Sequence, residues 1–167
     1  KQFGTSNSDL ARALITDHVG NVYVTGATDG DFAGASAGGY DGFLLKYGAS
    51  GSYMWGAQIG TPDGETPSEV VLDSSGGVYI GGTWGVPGAG TNDISIDKFS
   101  AAGSHLWHRQ TGAPGRNICW GLANDPSGNV FASGHTMGDM AAPNAGVSLI
   151  SSKPAGDYHF IMGQYFL

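Results

Sequence analysis

Four groups of residues in this chain have types and spacings that chemistry could use. Asp29 and Asp31 flank Gly30 in a polar stretch. Two carboxylates among backbone carbonyls are the start of a calcium loop, which takes about six to eight oxygens in all. His105 and His108 bracket Leu106 and Trp107. On a regular strand, residues three apart point to opposite faces, so these imidazoles are not expected to share an ion. Glu65 with Glu69 or Asp63 offers the carboxylate pair on which glycoside hydrolysis rests. Trp84 opens a loop-like stretch and Trp120 lies near the start of a strand; a solvent-facing indole at either place would stack on a sugar or anchor a protein. Asp29, Asp31, Trp84 and Trp120 are therefore the candidate binding residues. No nucleophile elbow and no phosphate-binding glycine loop is present, and Cys119, alone in an apolar setting, reads as a buried structural thiol. No catalytic residue and no cofactor are expected, and Ca2+ at Asp29 and Asp31 is the one candidate ion.

The elements that must hold these residues come from a repeat. "DHVGNVYVTGAT" from Asp17 returns as "DSSGGVYIGGT" from Asp73 and as "DPSGNVFASGHT" from Asp125, each fifteen residues after a glutamine, at Gln2, Gln58 and Gln110. A spacing of 52 to 56 residues marks stacked supersecondary units. The copies run over 2–57, 58–109 and 110–163, with 164–167 starting a further one. Asp41 and Asp93 precede Lys46 and Lys98 by five residues, and Trp55 and Trp107 follow those lysines by nine. The third copy has Gly146, Ser151 and Phe160 at these places. Asp17, Asp73 and Asp125 open turns, where a carboxylate caps the turn backbone. Asp41 with Lys46, and Asp93 with Lys98, are expected to hydrogen-bond or ion-pair between neighbouring copies, and Trp55 and Trp107 to pack in the core.

Thirty glycines and 13% charged residues describe short strands joined by turns, and the glycines are assigned to those turns. Strands are expected at 13–16, 21–25, 42–47 and 53–57 in the first copy, four to a copy, which is the anatomy of a propeller blade. Asp17 to Gly20 and Gly48 to Gly51 have type I turn chemistry, and the third copy places Pro126 and Pro154 second in the matching turns. Each copy is thus expected to be a four-stranded meander with its two tight hairpins at one end. The link between strands two and three and the link to the next copy emerge at the other end. Length differences collect there: thirteen residues from Thr28 to Asp41 against ten from Thr83 to Asp93. That end, with 29–40, 84–92 and 137–145, is the expected binding face.

The runs "ITDHVGNVYVTGAT", "YDGFLLKYGASG" and "MWGAQIGT" resemble the beta-propeller repeat known as SBBP, found in bacterial secreted and surface proteins and elsewhere, over essentially the whole chain. Kelch repeats are a more distant likeness, through Gly81-Gly82, Phe99 and Trp107. The resemblance implies a propeller and assigns no catalytic residue. The expected fold is all-β: about three four-stranded antiparallel sheets forming part of a larger propeller, since closed rings have about four to eight blades. Further blades, from this chain or another, are expected partners. The three copies alone are expected to self-associate through uncovered sheet faces.

A net charge of -7, with seven scattered lysines and arginines, excludes a nucleic-acid stripe, and no apolar run reaches the ~18 residues of a membrane span. The expected function is that of a non-catalytic scaffold or of a surface that binds protein or carbohydrate, in an extracellular, cell-surface or lumenal setting. The alternative is a glycosidase-type enzyme whose site is completed by blades or domains outside these residues.

Overall fold

The computed structural model describes residues 2–86, 91–136, 147–152 and 159–165. Twelve antiparallel strands form three sheets of four. The first sheet holds β1 (Asp9–Thr16), β2 (Val22–Thr28), β3 (Asp41–Tyr47) and β4 (Tyr53–Ile59), in that order. The second repeats it with β5 (Glu65–Leu72), β6 (Val78–Val86), β7 (Thr91–Phe99) and β8 (His105–Thr111). The third comprises β9 (Asn117–Asn124), β10 (Val130–Thr136), β11 (Val147–Ser152) and β12 (His159–Tyr165).

The third sheet departs from the expected meander. Its order is β9-β10-β12-β11, with Val130 to Thr136 paired to β12 and β11 at the edge. Composition accounts for the exchange. A strand sheltered on both faces reads as an apolar run, as "DGFLLKY" of β3 does, whereas β11 reads "VSLISS" with three serines and β12 "HFIMGQY". The expected turn at Lys153 to Gly156 and the link 137–145 lie outside the described residues.

The sheets radiate from their first strands. β5 packs against β1, β2 and β3, and β9 against β5, β6 and β7. Between the first two sheets lies a core of Tyr23, Leu44, Val70, Val78, Ile80 and Phe99, flanked by Trp55. Tyr79, Ile94, Ile96, Cys119, Val130 and Ala132, flanked by Trp107, form the next. On the outer side of the first sheet, Phe43, Leu45 and Tyr47 are buried under the chain's own Phe32 and Ala33. The Phe3 ring also stacks 4.6 Å from Tyr47. This face, expected to be bare, is covered because the long link after β2 folds back over it.

The turns follow their chemistry. Gly20, Gly76 and Gly128 adopt φ of 85°, 82° and 91° and donate to the carbonyls of Asp17, Asp73 and Asp125, each at 3.1 Å. Only glycine takes that left-handed conformation without strain, which fixes the fourth turn position in every copy.

Candidate functional site

One irregularity recurs at the same place in all three sheets. The register of the innermost strand slips by one residue at Arg12 in β1, Ser68 in β5 and Trp120 in β9. Each is the extra residue of a β-bulge, a device that re-aims a side chain and is common at sites. A glycine stands on the neighbouring strand each time: a Cβ on Gly26, Gly82 or Gly134 would overlap the carbonyl oxygen of Leu10, Thr66 or Ile118. The third residue of "VTGAT", "IGGTW" and "ASGHT", a glycine each time, thus belongs to a close backbone approach inside the sheet. The assignment of all glycines to turns is corrected accordingly.

The three bulges converge. Arg12, Ser68 and Trp120 line one cavity of about 310 Å³, together with Thr66, Thr83, Asn92, Arg116, Ile118 and Cys119. It lies at the end of the inner strands from which the variable links emerge. The Ser68 hydroxyl spans two sheets, donating to the Cys119 carbonyl at 3.0 Å. Trp120 is 61% exposed, and its indole Nε1 donates to His135 Nδ1 at 2.9 Å. The ring is therefore held at its edge while a face stays open. Burial, then the charge of Arg116, keeps the His135 imidazole below its usual range, so it accepts that bond as a neutral ring.

A second set of polar residues joins the sheets. Gln58 Nε2 donates to Asp41 Oδ2 at 2.8 Å and to the Gly30 carbonyl, while its Oε1 accepts from Phe32 and Ala33 N–H. Asp41 and Glu65 are both fully buried, and a Cβ on Gly60 would lie 3.0 Å from Glu65 Oε2 and closer still to Asp41 Oδ1. Two carboxyls thus share the space that a glycine vacates. Thr61 donates to Glu65, whereas Asp41 Oδ1 is buried with no hydrogen bond. The next joint solves the same problem with an amide. There Gln110 Nε2 donates to Asp93 Oδ2 at 3.2 Å, and Asn117 Nδ2 donates to Asp93 Oδ1 at 3.1 Å. Burial, reinforced by Asp41 and Asp63 against the bonds from Thr61, pushes the Glu65 carboxyl above its ordinary value.

Residues 1–33 match the SBBP beta-propeller repeat. No curated protein matches the chain. The matched SBBP segment contains the bulge at Arg12, the capped turn at Asp17 and the close-approach glycine Gly26. The same structural features recur beyond the matched residues, in the second and third sheets, at Ser68, Asp73 and Gly82, and at Trp120, Asp125 and Gly134.

Against this frame the candidate residues separate. Asp17, Asp73 and Asp125 cap their turns: Asp17 Oδ1 accepts from Val19 and Asn21 N–H, Asp73 Oδ1 from Ser75 and Gly77, and Asp125 Oδ1 from Ser127 and Asn129. Lys46 and Lys98 do not reach Asp41 and Asp93. Five residues span about 17 Å of strand and an odd separation changes face. Instead Lys98 Nζ lies 3.7 Å from Asp73 Oδ2, and Lys46 and Lys98 each cover a tyrosine ring, Tyr23 and Tyr79, at 4.8 Å. Trp84 is also corrected. It lies within β6, paired with Glu65 and Asp93, and is 8% exposed with its ring 4.5 Å from His108. β6 and β7 stay paired to Val86 and Thr91, so the strand continues past the point where the sequence reads as loop.

His105 and His108 are brought to one face after all. Leu106 is the extra residue of a bulge in β8, so His105 Nε2 and His108 Nδ1 both bond Asp97 Oδ1, at 2.8 and 3.0 Å. Among the described residues no group of three or more His, Cys, Asp and Glu is placed to hold a metal ion. Asp29 is exposed in the link after β2, and Asp31 accepts from Ser36 N–H at 2.7 Å, closing that link on itself. Cys119 is fully buried and its thiol is pushed up to about 11, which keeps it protonated and inert. Among the described residues no helix is long and apolar enough to cross a membrane.

Proposed function

We propose that this chain is a non-catalytic beta-propeller module that binds a saccharide in the cavity at its inner strands. The observation that carries the reading is the triple bulge: the frame residues repeat in kind, while the three side chains aimed into the cavity are an arginine, a serine and a tryptophan. A purely structural position would be expected to repeat, as the turn aspartates do. Unlike groups converging on one space are what a ligand with unlike parts requires. The volume is at the lower end of the roughly 300–1,000 Å³ of ligand sites and suits one or two sugar rings. An extracellular or surface setting agrees with a sugar ligand and with the repeat's resemblance. Glu65, fully buried between sheets, has no route to a substrate, which weighs against the glycosidase alternative.

Calorimetric saccharide titration of the wild type and its variants tests the reading. Binding should be lost, by at least about tenfold, in Trp120→Ala, while the melting temperature stays unchanged because the ring is exposed. A saccharide that binds equally well to Trp120→Ala and Ser68→Val would place recognition elsewhere and sink the assignment.

A further inference from the structure

Resting on that reading of the cavity, we propose that its ligand carries a carboxylate received by Arg12 and Arg116: the site takes an acidic sugar, a hexuronate, in preference to a neutral hexose.

The inference comes from accounting for the cations. The chain has seven lysines and arginines against fourteen acids. Of the five cations whose side chains are described, Lys46 lies over Tyr23, Lys98 pairs with Asp73 and covers Tyr79, and Arg109 lies 5.7 Å from the Trp107 ring. The other two are Arg12 and Arg116. Among the described residues neither guanidinium has a carboxylate, cation–π or hydrogen-bond partner, and Arg116 senses only the neutral His135 imidazole, although acids outnumber bases twofold. Both line the same cavity, and no Asp or Glu lines it with them. Acids are in surplus, yet among the described residues none lies within ion-pair distance of either guanidinium, so this spot is locally cationic.

The rest of the lining suits a sugar acid. Arg12 is projected by its bulge, and Arg116 is fixed by a backbone bridge to Asn92 just before β9. A planar carboxylate matches the guanidinium fork, so each arginine can take it bidentately. Thr66, Thr83 and Asn92 add neutral donors and acceptors for ring hydroxyls. The indole of Trp120, oriented by His135, offers a flat face for the apolar side of a pyranose. Since the net charge of -7 repels anions at long range, attraction arises only at this spot and is strongly salt-dependent.

Calorimetric titration of the whole chain decides the matter, using a hexuronate disaccharide, its carboxyl-reduced neutral counterpart and a sulfated hexose disaccharide. The hexuronate should bind at least about tenfold tighter than the neutral sugar, and weaken on raising salt from 50 to 300 mM as screening shortens. Arg12→Gln or Arg116→Gln should remove that advantage, so that each variant binds the hexuronate no tighter than its neutral counterpart, with the melting temperature as in the wild type. Arg12→Lys should recover only part of it. Equal affinity for acidic and neutral sugars, both lost in Trp120→Ala, would overturn the charge assignment and leave the cavity reading standing. Tenfold preference for the sulfated sugar would overturn the carboxylate. Failure of all three sugars to bind would overturn both.

Discussion

Asp73 spreads one carboxylate over a turn and a neighbouring cation. Its Oδ1 accepts from Ser75 N–H at 2.9 Å, Ser75 Oγ at 2.7 Å and Gly77 N–H at 2.8 Å, and its Oδ2 faces Lys98. Burial opposes the charge, but the bonds from Ser75 and Gly77, with Lys98, hold the carboxyl below its ordinary range. A depressed carboxyl contributes stability that is present above the unfolded-state value and is lost as pH falls through the folded one. Asp73→Ala should therefore cost about 1 kcal/mol at neutral pH, below the range for a buried bond to a charged group because solvent screens the turn, and the cost should shrink as pH falls below the ordinary aspartate value. Urea denaturation at pH 7 and pH 3 measures both. The role of this aspartate is legible in sequence because its partners are its immediate neighbours. The lysine's partner is not: Asp93 is nearer along the chain than Asp73, but pairing of β6 with β7 brings Lys98 beside Tyr79 and the turn that precedes it.

At the scale of the strand, the bulges decide which side chains meet. Alternation of faces is legible in sequence, so the strands and their hairpins follow from it. A one-residue slip is not, because it leaves composition unchanged and inverts the alternation beyond it. That slip at Leu106 is why His105 and His108 share Asp97, against the expectation of opposite faces. Burial works against the His108 charge, but Asp97 raises its affinity for a proton, so the cluster contributes stability at low pH that fades as pH rises through the folded-state value. A sequence signal for the inner bulges did exist: a glycine at one fixed place in the second strand of each copy, too far from any turn to serve one. Gly82→Ala tests it. A Cβ there would stand 2.5 Å from the Thr66 oxygen and the Pro67 Cα, both backbone atoms. The substitution should destabilise by about 3 kcal/mol, the upper part of the range for overpacking, and should abolish ligand binding because Ser68 is re-aimed. Thermal melts and the saccharide titration read the two effects separately.

Between sheets the decisive groups are the carboxyls at the joints. Glu65 takes its donors from Thr61, and Asp41 Oδ1 has no counterpart of the Asn117 amide that bonds Asp93 at the next joint. Asp41, Asp63 and His108 are the charged or titratable neighbours that act on Glu65, and burial against Trp84's strand adds to the two acids. Because its folded-state affinity for protons is raised, the folded chain binds more protons than the unfolded one above the ordinary glutamate value of about 4.5. Stability should therefore fall as pH rises from there through the folded-state value. Glu65→Gln should remove that fall and raise the melting temperature at pH 7 relative to pH 5, as calorimetry at the two values will show. An unchanged pH dependence would mean that Glu65 is ionised in the joint. The recurring glutamine is legible in the sequence as a landmark of the repeat, but the joint and its chemistry are not, since Asp9, Glu65 and Asn117 look unrelated until the register places them at one position.

The extra residue of a bulge stands outside the ladder of cross-strand pairs, and this has an evolutionary consequence. Each sheet carries one address in its inner strand whose occupant can change without disturbing the ladder, the capped turns or the apolar core. Duplication copies the frame, and point mutation then writes a different letter at each address, so specificity drifts while the fold is inherited intact. In this chain the letters are Arg, Ser and Trp, and a homologous array with other letters at those three places would recognise something else on the same scaffold.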